Sequence, residues 1–145
     1  MKRIKKRRGV LFLTVLLLAL LVIWLTLPTA AEVCGLSEYH AGDITRIRLQ
    51  PRPGSGDETL TVTDQERIGA ILNWFSDVKV CPTLARGGGS ALAIMLDMEA
   101  GGTVRIDLST LSPLRIHPIP GERWAAAGGG YDRGFWTTLL EGFQG

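Results

Sequence analysis

Two cysteines and two histidines are the only thiol or imidazole ligands in the 145 residues. Cys34, Cys81, His40 and His117 lack the HExxH, CxxC or paired-histidine spacing that a zinc or redox centre needs. No metal and no cofactor is therefore expected. A thiol enzyme would pair Cys81 with His117, yet nothing beside Cys81 in the chain lowers a thiol pKa. Alternatively, Cys34 and Cys81 form a disulfide in an oxidising compartment, or Cys81 is a small buried hydrophobe and Cys34 a separate thiol. Spacing alone leaves both open. The glycine runs at 87–89 and 128–130 lack the lysine and the strand-to-helix setting of a phosphate loop, so they read as connectors.

Arginine gives the stronger pattern. Strand-like alternation sets Arg46, Arg48, Arg105, Arg115 and His117 on one face, with Asp97 and Asp107 among them and Arg123 nearby. From residue 32 onward there are nine arginines and a single lysine, Lys79. The planar guanidinium fork suits carboxylate and phosphate, so this face is a candidate anion-binding surface. A plainer explanation is cross-strand Arg–Asp pairing on a solvated sheet, each pair adding a few tenths of a kcal/mol. Trp124 and Tyr131, next to glycine-rich loops, are candidates for an exposed aromatic contact. Trp74 and Trp136 adjoin apolar helical stripes and belong in the core.

The chain is divided by charge. Six of its sixteen basic residues lie within the first nine positions, and no acid appears before Glu32. Residues 32–145 carry ten basic and fourteen acidic side chains, which repel a phosphate backbone and exclude nucleic-acid binding. Between lies an uncharged stretch whose centre, 10–27, has only Thr14 and Thr26 as polar interruptions. Eighteen helical residues span about 27 Å, close to the hydrocarbon thickness of a bilayer. The basic cluster pins the N-terminus inside and sends residues 32–145 to the far side. A signal peptide has a shorter apolar core of about 7–15 residues, which favours a retained anchor. The small residues Thr29-Ala30-Ala31 nevertheless offer a cleavage site near Ala31, after which the domain would be secreted.

The organisation expected is therefore a basic cytoplasmic segment (1–9), an anchor (10–28), a tether (29–42) and an extracytoplasmic domain (43–145). Within the domain, 44–49 alternates, with Thr45, Ile47 and Leu49 on the inner side; a turn-rich 51–57 and a second strand at 59–63 complete a hairpin. Thr63-Asp64-Gln65-Glu66 matches a capping box and opens a helix whose stripe is Ile68, Ile71, Leu72, Phe75 and Val78. Strands at 90–98 and 103–108 form a second hairpin, a short strand includes Leu114 and Ile116, and 123–126 adds an edge strand. Asp132 caps a last helix with Phe135, Trp136, Leu139, Leu140 and Phe143 inward. Short connections imply an α+β domain, an antiparallel sheet of about five strands with two helices on one face.

The succession Ile44–Leu49, then Leu60-Thr61-Val62-Thr63-Asp64-Gln65-Glu66, a Gly-rich hairpin, and Tyr131-Asp132…Phe135-Trp136 resembles small uncharacterised, membrane-anchored extracytoplasmic α+β domains of Gram-positive bacteria. The resemblance spans about 43–143, rests on core and cap positions, and carries no catalytic residue. It implies the architecture and an envelope setting. Together these features point to a binding or interaction domain at the cell envelope, with the bilayer as one partner through 10–28. An envelope protein or an anionic wall polymer is the other. The competing readings are a small envelope hydrolase or thiol enzyme, and an inhibitor or immunity-type protein presenting the loop Pro51–Asp57.

Overall fold

In the computed structural model, residues 2–51, 56, 58–84, 92–109, 115–117, 124–127 and 138 are described, with side chains from Gly9 onward except at Arg115 and His117. The segment expected to be the anchor forms helix α1 (Lys2–Thr26). Its portion Gly9–Thr26 has a mean hydropathy of 2.7 and packs against nothing in the protein. This single N-terminal helix is long and apolar enough to span a membrane.

The chain leaves α1 through Leu27 and Pro28 and at once enters a four-residue helix, α2 (Ala30–Val33). Both of its ends are capped. Thr29 and Glu32 form a reciprocal capping box. At the other end Gly35, at φ 67°, allows a Schellman closure: Leu36 N donates to Ala31 O and Gly35 N to Glu32 O. Such closure makes one turn of helix worth forming, since isolated turns are otherwise unstable. Ala30, Ala31, Cys34 and Leu36 are buried in the core. The expected tether at 29–42 is thus corrected: its first half is part of the folded domain.

A 3-10 turn (Ala41–Asp43) leads into β1 (Ile44–Pro51), followed by β2 (Leu60–Val62), α3 (Gln65–Asp77), β3 (Val80–Pro82), β4 (Leu92–Met98), β5 (Thr103–Ser109), β6 (Arg115–His117) and β7 (Trp124–Ala126). The fold is α+β, with one antiparallel sheet in the order β2-β1-β4-β5-β6-β7-β3. Helix α3 carries the chain from the β2 edge to the β3 edge. Its apolar stripe, with Phe75 and Ile68 fully buried, meets an inner sheet face of Ile47, Leu49, Ile94, Leu96, Ile106 and Ile116. Trp74 packs edge-on to Phe75 with ring centroids 5.1 Å apart.

Several expectations shift. Among the described residues the sheet has seven strands because β3, unforeseen, pairs Val80 with Ala126 and so makes β7 an interior strand rather than an edge. A register break between Ile44 and Arg46 buries Ile44 and leaves Thr45 exposed, its hydroxyl donating to Asp97 O. The α3 N-cap is Asp64, not Thr63; its carboxylate accepts from Glu66 N. The second expected helix, both glycine runs, Arg123, Tyr131 and Trp136 lie outside the described residues, as does most of the loop 51–57.

Candidate functional site

The β1–β4 and β4–β5 registers bring four of the sequence-selected side chains together on the outer sheet face. Arg46 lies opposite Asp97 and Arg48 opposite Met95, which in turn faces Arg105; Asp97 faces Thr103. Period-two alternation dictates this, since the same strands turn Ile47, Ile94, Leu96 and Ile106 inward. Asp97 is the hub. Its Oδ2 accepts from Arg46 Nε at 2.6 Å, and its Oδ1 from Arg48 Nη2 and Thr103 Oγ1, both at 2.8 Å. The bonds from Arg48, Arg46 and Thr103 hold the Asp97 carboxyl well below the usual carboxylate range.

The two arginines differ in setting. The Arg46 side chain is 54% exposed and can swing to another anion, whereas Arg48 is 33% exposed and its Nε is cut off from solvent without a partner among the described residues. Arg105 is 55% exposed and reaches Asp107 Oδ1 at 3.2 Å through both Nε and Nη2. Three guanidinium groups thus meet two carboxylates. Arg115 and His117 occupy β6 opposite Ser109 and Asp107, which extends the row of cation-bearing positions across a further strand. The membership of Thr103 was not foreseen; its place opposite Asp97 is readable only once the hairpin register is known.

Other candidates are placed elsewhere. Trp124 is half-buried on the inner face against the core, so it is no exposed platform. Cys34 and Cys81 form no disulfide. Cys34 is buried at the C-cap of α2, and burial pushes its thiol up to about 12, the opposite of what a nucleophile needs. Cys81 is half-buried on β3, its Sγ 3.7 Å from Ala125 O. His40 is exposed at the start of the 3-10 turn, its backbone N–H donating to Asp43 Oδ2. A cavity of about 550 Å³ lies between that turn and the β4–β5 turn, lined by Glu38, Tyr39, Asp43, Met98, Glu99, Ala100 and Gly101. Among the described residues no group of three or more side chains is arranged to hold a metal ion.

Fold and site together define an α+β domain behind an apolar N-terminal helix, with a guanidinium-rich sheet face. Comparison with known proteins gives no matching family model, no matching curated protein and no matching solved structure.

Proposed function

We propose that this chain is a membrane-anchored binding module, held by α1 with its domain on the extracytoplasmic side, and that the outer sheet face takes an anionic ligand. The observation that carries the reading is the placement of Arg46 and Arg48 on β1 and Arg105 on β5, on either side of β4, around two carboxylates among the described residues. Forked donors on a rigid sheet meet an acidic side chain or a phosphate without reorganising the backbone. The overall acidity of residues 32–145 confines attraction to this face and disfavours indiscriminate polyanion binding.

Retention of the helix is supported by what surrounds the candidate cleavage site. Ala30 and Ala31 are buried in the core, and Thr29 bridges Lys79, so removing residues up to Ala31 would take away part of the domain. The basic residues before Gly9 orient the helix with the N-terminus inside. Full-length protein in vesicles, incubated with a polyglycerol-phosphate wall polymer, should retain it, and rising salt should release it. Replacing Arg46 and Arg105 with serine, while leaving Arg48 to support the fold, should abolish retention. Unchanged retention by that variant would refute the reading. The mass of the chain purified from membranes tests anchoring independently: loss of about thirty residues would show cleavage.

A further inference from the structure

The junction between anchor and domain is a piece of β-structure. Val80 N donates to Pro28 O at 3.0 Å and Ala30 N to Val78 O at 2.8 Å, with Thr29 and Lys79 forming an antiparallel bridge. Lys79 Nζ adds a bond to Leu27 O at 2.8 Å. Residues 28–30 therefore lie along the edge of the sheet beside β3, one residue from the apolar helix.

Antiparallel pairing fixes a direction. As the chain leaves α1 and climbs from Pro28 to Ala30, its partner descends from Val78 to Val80 and on through β3 toward the level of α1. Two residues beyond β3 stands Leu84, 97% exposed, the most exposed large apolar side chain among the described residues. Leu84 lies four positions beyond Val80, which in extended chain would be a reach of about 13 Å. The headgroup layer on one side of a bilayer is about 5–7 Å thick, so this reach is enough to cross it. A single exposed leucine is common on a soluble domain; what singles out Leu84 is its place on the side of the sheet from which α1 enters, where lipid can solvate it.

We infer that the domain is seated directly on the bilayer and that Leu84 is a second lipid contact, inserted at the boundary between headgroups and acyl chains next to the exit of α1. This rests on the anchor reading proposed above. It deepens that reading by fixing which end of the sheet faces the lipid: the end where β3 stops and β7 begins.

The test uses the full chain in vesicles of phosphatidylglycerol and phosphatidylethanolamine, in a Cys81→Ser background, with a nitroxide attached at Leu84→Cys, Leu18→Cys or Thr61→Cys in turn. Leu18 lies in the middle of the anchor, and Thr61 is exposed on the opposite edge strand. Position 84 should collide with oxygen more than with an aqueous nickel chelate, as position 18 does, and the reverse should hold at position 61. Should position 84 behave like 61 while 18 remains in lipid, the seating is wrong and the anchor stands. Aqueous behaviour at 18 as well would overturn both. Low accessibility to both relaxants at 84 would mean a second copy of the chain covers it, which also overturns the lipid contact.

Discussion

Replacing Asp97 with asparagine isolates the hub of the outer face. The side chain is only 14% exposed and accepts three hydrogen bonds, at 2.6, 2.8 and 2.8 Å. The Arg46 bond belongs to a solvent-exposed pair and is worth about 0.2–1 kcal/mol. The Arg48 bond is charge-assisted and half-sheltered, worth about 1.5–3 kcal/mol. Neutralising Asp97 also leaves the Arg48 cation uncompensated, its Nε already lacking a partner. The expected cost is about 2–3 kcal/mol near pH 7. For a domain of about 110 residues that lowers the melting temperature by roughly 10 °C. The pH dependence is a second signature. The folded-state pKa of Asp97 is depressed, so its stabilisation is complete above the unfolded value of about 3.9 and is lost as pH falls toward the folded value. Urea unfolding of the full chain in detergent micelles, at pH 7 and below pH 4, should show wild type and Asp97→Asn converging in acid. A penalty under about 0.5 kcal/mol, or a gap that does not change with pH, would refute the hub. The same variant frees Arg46 and Arg48, so retention of the wall polymer should rise even as stability falls. A purely structural ion-pair face predicts no such rise.

Cys34 gives the mirror-image behaviour. Its folded pKa is raised to about 12, so the stabilisation is present below the unfolded value of about 8.5 and is lost as pH rises, by up to about 1.4 kcal/mol per unit. Urea midpoints between pH 8 and 10 should fall in the wild type and flatten in Cys34→Ala. Maleimide should label Cys81 in the folded protein and reach Cys34 only on unfolding, which mass spectrometry of the labelled chain will show. Thr29→Ala removes one half of the α2 capping box and should cost about 1 kcal/mol in the same urea assay, with no change in membrane partition.

The strands were legible wherever one face is buried and the other wet. Ile94, Leu96, Ile106 and Leu108 declare their direction by alternation, and the outward Arg46, Arg48, Arg105 and Asp97 follow from it. Helix α3 was legible from its stripe, but Thr63 and Asp64 are both good caps in succession, and only geometry separates them. Strand β3 was hidden by Pro82, which reads as a terminator; as the last residue of the strand, past the stretch that residues 28–30 cover, it has no ladder donor to lose. Most instructive is Thr29-Ala30-Ala31-Glu32. Small residues after an apolar core resemble a processing site, yet the same four residues spell the Ser/Thr-x-x-Glu pattern of a capping box. Gly35-Leu36 then supplies the closing signal. Which pattern wins depends on whether Val78–Val80 is present to pair with it. That is a contact fifty residues away, and no local rule contains it.

Because β3 is flanked on one side by residues 28–30 and on the other by β7, two segments far from it in the chain, one before and one after, must both be in place before that border is sealed. Closing such distant pairings is entropically slow. A nascent chain halted before Ala126 would keep a raw margin open along β3, where a strand from a neighbouring unfinished copy could lodge.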